Sequence, residues 1–178
     1  MPTGAEFLVE TIVAINAGAK GSVSWIDPTT PDIKASASAF ASALPELTPF
    51  LLSSELTQPP VNFTHVVTRT RNRLDFGVWA SADGRTLVMG TNLNDVTANI
   101  PLCEVVAAAN LSVAALGSAR VVLDGGSIID DSQIRFDKLG SGAWIFEYYR
   151  HPWMPGIHDI PGVDVGSLGE RIVVVQDL

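Results

Sequence analysis

Four aspartates are the residues best placed to do acid–base chemistry: Asp27, Asp124, Asp130 and Asp131. A retaining glycosidase needs two carboxyl groups about 5–5.5 Å apart, and an inverting one about 6.5–9.5 Å apart. However, Asp27 precedes a Pro-Thr-Thr-Pro loop, Asp124 precedes two glycines, and the adjacent pair fits a hairpin or a sheet edge. We therefore expect structural roles for all four and assign no catalytic residue. A small glycoside hydrolase is the least favoured function.

Other reactive side chains give weaker signals. His151, His158 and Asp159 lie close in sequence, but within a Pro- and Gly-rich segment, so we predict neither a metal site nor a cofactor. Cys103 is the single cysteine and cannot form an internal disulfide. Its apolar neighbours predict a buried, inert thiol. No Gly-x-Ser-x-Gly motif of a serine hydrolase is present.

Aromatic side chains offer the better lead, because they can stack on sugar rings while their polar edges form hydrogen bonds. Trp79 and Trp144 lie in predicted strands, so we expect them in the core. Trp153 lies in the segment His-Pro-Trp-Met-Pro, outside any predicted strand, and is a candidate contact for a glycan or protein partner. Trp25 and Tyr149 are the other candidate contacts.

Charge and composition exclude several functions. The 178 residues carry a formal net charge of −8, and their one basic cluster is Arg69, Arg71 and Arg73, so neither nucleic acid nor anionic membranes are expected partners. No apolar run approaches the length of about 20 residues that a membrane span needs. The first residues lack the features of a signal peptide. Sequons at Asn62 and Asn110 nevertheless favour N-glycosylation and a secreted, extracellular protein.

The first third of the chain predicts helix, strand, helix. Thr3 and Glu6 fit a capping box, and Leu8, Ile12, Ile15 and Ala19 follow at helical spacing. A short strand is predicted at Val23–Ile26. Thr30 and Pro31 then fit the start of a second helix, which Pro45 and Pro49 should kink or end before a short helical continuation.

From about residue 61 the pattern predicts strands and turns. The predicted strands are Asn62–Thr70, Arg73–Ala80, Thr86–Leu93, Val96–Leu102, Ala119–Leu123, Ile128–Phe136, Ala143–Tyr149 and Arg171–Val175. Turns are predicted at Asp83-Gly84, at residues 124–126 and at residues 140–142. Residues 104–116 fit either a short helix or a loop plus strand. Residues 151–167 should be irregular.

Together these elements predict an α+β fold, in which an N-terminal helix–strand–helix packs on an antiparallel β-sandwich. Residues 1–56 form the first unit and residues 61–178 the second, with a linker at Thr57–Pro60. One strand cannot build a parallel sheet alone, so the first unit is expected to be the end of a larger α/β domain. Burial against the sandwich or homodimerisation would cover its apolar surfaces.

Three stretches of the sequence carry a family resemblance. Residues 6–53 contain NAGAKG after the first helix and end in LTPFLLS, residues 73–102 contain RLDFGVW and TLVMGTNLN, and residues 120–149 contain VVL, FDKL and IFEYY. In this order they resemble the C-terminal part of secreted fungal clan-A glycoside hydrolases, family 79-like. The first stretch resembles the seventh helix, eighth strand and eighth helix of the (β/α)8 barrel, and the others resemble the β-sandwich that follows.

The resemblance implies that this chain lacks catalytic carboxylates of its own, since those follow the fourth and seventh barrel strands. It also implies that Trp25, at the end of the eighth strand, occupies the position of an aromatic sugar platform. Residues 151–178 match nothing in the family pattern. The expected function is a non-catalytic secreted protein that binds carbohydrate or a cell-surface glycoprotein, for example a fungal immunomodulatory protein. A structural β-domain of a glycoside hydrolase, without its own ligand, is the alternative.

Overall fold

The computed structural model describes residues 2–22, 30–52, 61–68, 73–81, 84–108, 119–129, 133–147 and 172–175. Its helices are α1 (Gly4–Asn16), α2 (Pro31–Leu51) and α3 (Leu102–Ala108). Its strands are β1 (Val61–Thr68), β2 (Leu74–Ser81), β3 (Arg85–Asn92), β4 (Ala98–Pro101), β5 (Ala119–Ile129), β6 (Gln133–Glu147) and β7 (Ile172–Val175). Two N-terminal helices followed by an antiparallel sheet confirm the predicted α+β class. The predicted strand Val23–Ile26 lies outside the described residues.

α1 begins at the predicted capping box. The Thr3 hydroxyl accepts a hydrogen bond from the backbone N–H of Glu6 at 3.3 Å, and the Glu6 carboxylate accepts one from the backbone N–H of Thr3 at 2.6 Å. Two otherwise unpaired N–H groups of the first turn are thereby satisfied. Leu8, Ile12 and Ile15 are buried, as their helical spacing predicted.

α2 runs from Pro31 to Leu51 as one helix. Pro31 occupies the first turn as predicted, whereas Pro45 and Pro49 lie inside the helix and neither ends it. A proline in a helix interior removes a backbone hydrogen bond, which disfavours continuation. Here Leu47 and Phe50 are buried beside those prolines, so packing against the sheet outweighs the local preference.

The two long helices run in the same direction. At one end, the backbone N–H of Gly4 in α1 donates to Oδ2 of Asp32 in α2 at 2.8 Å. At the other end, the Nζ of Lys20, which follows α1, donates to the carbonyl of Leu51 at 3.1 Å. A Cβ at Gly4 would lie 2.5 Å from the Asp32 carbonyl oxygen, so glycine permits this close approach.

Acid is expected to loosen the N-terminal end of this helix pair. The backbone N–H and hydroxyl of Thr3 lower the pKa of Glu6 from its ordinary 4.5. The Thr30 hydroxyl and the Gly4 N–H likewise lower the pKa of Asp32 from its ordinary 3.8. A carboxyl whose folded pKa is lowered contributes stability above its unfolded pKa, and this contribution disappears as the pH falls through the folded pKa.

We therefore expect a Glu6→Gln/Asp32→Asn variant to unfold at lower urea concentration than the wild type at neutral pH. The difference in urea midpoint should shrink below the ordinary pKa values and vanish once both carboxyls are protonated. Glu10 on the same helix is exposed, and Glu10→Gln serves as the matched control. A difference that stays constant across this pH range would contradict the expectation.

The described strands form one seven-stranded antiparallel sheet in the order β4-β6-β3-β2-β1-β7, with β5 paired to the other side of β6. β6 is the hub, because residues 133–136 pair with β4 and residues 141–147 pair with β3. β7 pairs with β1 at the opposite edge of the sheet and corresponds to the predicted strand Arg171–Val175.

Two predicted turns are wrong, and one predicted hairpin is confirmed by the pairing of its strands. β2 and β3 form the hairpin predicted at Asp83-Gly84, with Ala80 opposite Thr86. Residues 124–126 and 140–142 instead lie inside the long strands β5 and β6. The register between these strands shifts between Gly125 and Ser127, and Gly126 and Leu139 have positive φ angles of 90° and 51°. The glycines thus belong to a bulge that bends a continuous hairpin.

The buried side chain of Asn92 fastens the loop after β3 to this bulge. Its Nδ2 donates to the carbonyls of Val96 at 2.8 Å and Asp137 at 2.9 Å. Its Oδ1 accepts from the backbone and side-chain nitrogens of Asn94 at 3.1 and 2.6 Å. All four hydrogen-bonding positions of the amide are therefore used, which holds the β3–β4 connection against β6.

Alternating side chains place one hydrophobic core on each face of the sheet. The inner core includes Phe76, Phe136, Trp144 and Phe146 and is closed by β4 and α3. The helix-face core joins α1 and α2 to the sheet through residues from both, namely Leu8, Ile12, Ile15, Phe40, Leu47, Phe50, Trp79, Leu87, Met89 and Ile145. Trp79 and Trp144 are 5% and 0% exposed, which confirms their predicted core positions.

Candidate functional site

A row of small and polar residues crosses the sheet beneath α1. Asp75 of β2 lies opposite Thr91 of β3, Thr91 lies opposite Ser141 of β6, and Ser141 lies opposite Gly125 of β5. Directly opposed residues project from the same face. A Cβ at Gly125 would meet the Leu8 side chain at 3.0 Å, which places this row under α1. Small side chains let the helix lie close to the sheet here.

Asp75 is the centre of a buried hydrogen-bonded cluster at the C-terminal end of α1. The Nδ2 of Asn16 donates to Asp75 Oδ1 at 2.6 Å, and the Nε2 of His65 lies 2.8 Å from Asp75 Oδ2. Asn16 is fully buried and the Asp75 side chain is 5% exposed. A buried carboxylate is costly without partners, so these two contacts explain how Asp75 is tolerated inside an apolar strand. We call Asn16, His65 and Asp75 the Asp75 cluster.

The cluster opens toward the surface along β1. The His65 side chain is 19% exposed, and Phe63, two residues earlier, is partly buried on the same face of the strand. The Phe63 ring packs on that of Trp79, with centroids 4.7 Å apart and planes tilted by 31°. An aromatic ring and an imidazole therefore stand side by side, each fixed from behind by a more deeply buried partner. We call Phe63 and His65 the β1 platform.

A paired aspartate and histidine can serve general base catalysis when a nucleophile lies within hydrogen-bond reach of the imidazole. Within the described part of the chain, the hydrogen bond recorded for the His65 ring is the one to Asp75. The Asp75 cluster therefore orients the imidazole and fixes α1 on the sheet.

The predicted site residues fall largely outside the described structure. Trp25, Tyr149 and Trp153 lie outside the described residues, as does Asn110. Asn62 is in β1, but its side chain is outside the description. The positions of these side chains relative to the Asp75 cluster lie outside the description, so their roles stay predictions.

Asp124 is the one described member of the four candidate aspartates, and its role is structural. Its Oδ1 accepts hydrogen bonds from the backbone nitrogens of Gly126 at 3.0 Å and Ser127 at 3.2 Å. The carboxylate thus stabilises the β5 bulge, in keeping with the structural role expected for it. Asp27, Asp130 and Asp131 lie outside the described residues, and so do the histidines of the His151–Asp159 segment.

Cys103 corrects one expectation, because its thiol is exposed rather than buried. The residue lies on α3, where Leu102 and Val105 face the inner core and Cys103 faces outward. Apolar sequence neighbours predicted burial, but the helix turns successive residues to different sides.

The Asp75 cluster was not predicted from the sequence. Its one local signal is an ionisable residue between Leu74 and Phe76, in a strand whose six first residues are all buried. Asn16 lies on the buried side of α1, but nothing local pairs it with a carboxylate 59 positions away.

Within the described ranges, no three His, Cys, Asp or Glu side chains are grouped as a metal site would require. The helices in these ranges are also too short or too polar to cross a bilayer. No protein-family model, curated protein or solved structure matches the chain.

Proposed function

We propose that this chain is a non-catalytic, secreted protein related to the C-terminal region of a glycoside hydrolase, and that it binds glycans or cell-surface glycoproteins. The observation that carries the proposal is the pair of parallel helices seated on one face of an antiparallel sheet. Successive helices of a (β/α)8 barrel run parallel because the chain returns through a strand between them. An arrangement of this kind is what the sequence resemblance implies for residues 6–53.

The described carboxylates support a non-catalytic role, because structural hydrogen bonds engage several of them. Glu6 and Asp32 stabilise the start of α1, Asp75 holds Asn16 and His65, and Asp124 holds the β5 bulge. A glycosidase needs a pair of carboxyls that face a substrate instead.

Recognition is proposed for the aromatic residues that the sequence makes candidate contacts, and not for those that lie in the two cores. Trp79 and Trp144 fill those cores, whereas Trp25, Tyr149 and Trp153 are the proposed contacts.

Secretion and glycosylation at Asn62 and Asn110 belong to the same proposal. Secretion would be seen as release of the protein into the medium of a eukaryotic host. Glycosylation would be seen as a loss of mass when the released protein is treated with a deglycosylating enzyme. Homodimerisation is checked on that material by light scattering.

A glycan array with purified protein tests this function. We expect binding to a defined set of glycans, loss of that binding by about tenfold or more in at least one of Trp25→Ala, Tyr149→Ala and Trp153→Ala, and no turnover of aryl glycosides. Val96→Ala is the matched control, because Val96 is 62% exposed and carries no proposed role. Absence of binding across the array, with the fold intact by circular dichroism, would overturn the glycan-binding proposal.

A structural β-domain of a glycoside hydrolase is the second candidate, favoured by the burial of the large rings in the described sheet: Phe76, Trp79, Phe136, Trp144 and Phe146. In that case the chain should associate with a (β/α)8 barrel fragment that ends before its seventh helix. Co-elution with the fragment, but not with the complete enzyme, would support this role. Failure to bind either would count against it.

A further inference from the structure

The β1 platform has the parts that recognition of a sugar ring requires. A pyranose presents an apolar C–H face and a rim of hydroxyls, so its sites combine an aromatic surface with oriented polar groups. Phe63 supplies the ring surface, and His65 supplies a nitrogen-bearing ring two residues along the same strand. Alternate residues of a strand are separated by about 6.5–7 Å, close to the width of one sugar ring plus its hydroxyls.

We propose that the β1 platform is a saccharide contact site, in which Phe63 packs on the sugar face and the His65 imidazole bonds a ring hydroxyl. This inference rests on the proposed glycan-binding function and adds to it a location independent of Trp25, Tyr149 and Trp153. Both side chains are partly exposed on the helix-bearing face of the sheet.

Preorganisation is the strongest argument for this site. Phe63 is held by its stacking on Trp79, which is itself 5% exposed. His65 is held by Asp75, and Asp75 is held by the fully buried Asn16. A ligand that binds groups already fixed avoids most of the free-energy cost of immobilising mobile side chains.

The charge of the surroundings selects the class of glycan. The side chain that orients His65 is the carboxylate of Asp75, and the chain as a whole carries a formal net charge of −8. Uronic acids and sulfated sugars would be repelled by this field. The platform therefore fits an uncharged pyranose glycan.

The test uses the full chain and an array of uncharged gluco-, manno- and galacto-oligosaccharides beside uronic and sulfated ones. We expect binding to uncharged members, and a loss of affinity of about tenfold in Phe63→Leu and in His65→Gln. Glutamine retains a donor toward Asp75, so His65→Gln tests recognition with little disturbance of the cluster. Thr64→Ser, on the opposite face of β1, is the matched control.

A second measurement uses the wild-type protein and therefore does not depend on the folding of a variant. The bound glycan should protect His65 of the wild type from carbethoxylation by diethyl pyrocarbonate, measured by peptide mass spectrometry. Unchanged affinity in His65→Gln and no protection of His65 would overturn the β1 platform, even if Trp25→Ala abolished binding and so upheld the proposed function. Binding restricted to anionic glycans would also overturn it. Absence of any glycan binding would overturn both proposals.

Discussion

Asp75→Ala is expected to lower the free energy of unfolding by about 1–3 kcal/mol, because it removes the acceptor of a fully buried amide and the partner of a largely buried imidazole. The Asn16 amide, fully buried, would lose the acceptor that lies 2.6 Å away, and His65 would lose its contact at 2.8 Å. Each buried group left without a partner costs about 1–3 kcal/mol. Urea denaturation followed by circular dichroism measures the loss as a lower midpoint.

Asp75→Asn separates charge from hydrogen bonding at the same position. The amide oxygen can still accept from Asn16, and the amide N–H can donate to His65 if the imidazole changes tautomer. We expect this variant to retain more than half of the stability that Asp75→Ala loses. Asp95→Asn is the exposed control and should change the free energy of unfolding by less than about 0.5 kcal/mol. If Asp75→Ala were as mild as that control, the cluster would not be what fixes α1 on the sheet.

The elements predicted correctly are those whose determinants lie within a few residues of one another. The Thr3–Glu6 capping box, the apolar stripe of α1 and the Asp83-Gly84 hairpin each depend on local backbone geometry. The alternating apolar pattern also placed Trp79 and Trp144 in the core. These features together were enough to predict the α+β class.

The errors lie where packing between distant segments decides the structure. Gly140 and Gly142 suggested a turn, but a Cβ at either would lie 2.3 Å from an oxygen of β5: the Gly126 carbonyl and the Ser127 hydroxyl respectively. These glycines permit two long strands to pair closely through a bulge, and local sequence cannot distinguish that use from a turn. Pro45 and Pro49 do not end α2 for a similar reason, since burial of Leu47 and Phe50 holds the helix together.

The Asp75 cluster could not be assembled from the sequence, because its members come from α1, β1 and β2 and meet only when the helix lies across the sheet. The candidate aromatic contacts were chosen from residue type and predicted position, and Trp25 also from the family resemblance. A binding contact made by one aromatic ring can be suggested from the sequence. A site made of several oriented side chains can be predicted only when the register of the strands is known.

Gly77→Ala is expected to destabilise the fold by about 1–3 kcal/mol, because the position has no room for a methyl group. A Cβ there would lie 2.4 Å from Asn16 Oδ1 and 2.4 and 2.7 Å from two carbons of the Trp79 ring. Asn16 is held by Asp75, and Trp79 is packed between Phe63 and the helix-face core, so neither can move freely. Thermal and urea unfolding should both report the loss.

Gly21→Ala is the matched control for the backbone effect of replacing glycine, since a Cβ there meets nothing within 4 Å. A double-mutant cycle with Trp79→Leu then identifies the clash. If the ring is the main obstacle, Gly77→Ala should cost at least 1 kcal/mol less in the Trp79→Leu background, a coupling of the size found for residues in contact. Equal costs in the two backgrounds would assign the clash to Asn16. A cost no larger than that of Gly21→Ala would mean that α1 can lift from the sheet at its C-terminal end, and that the Asp75 cluster yields before the strands do.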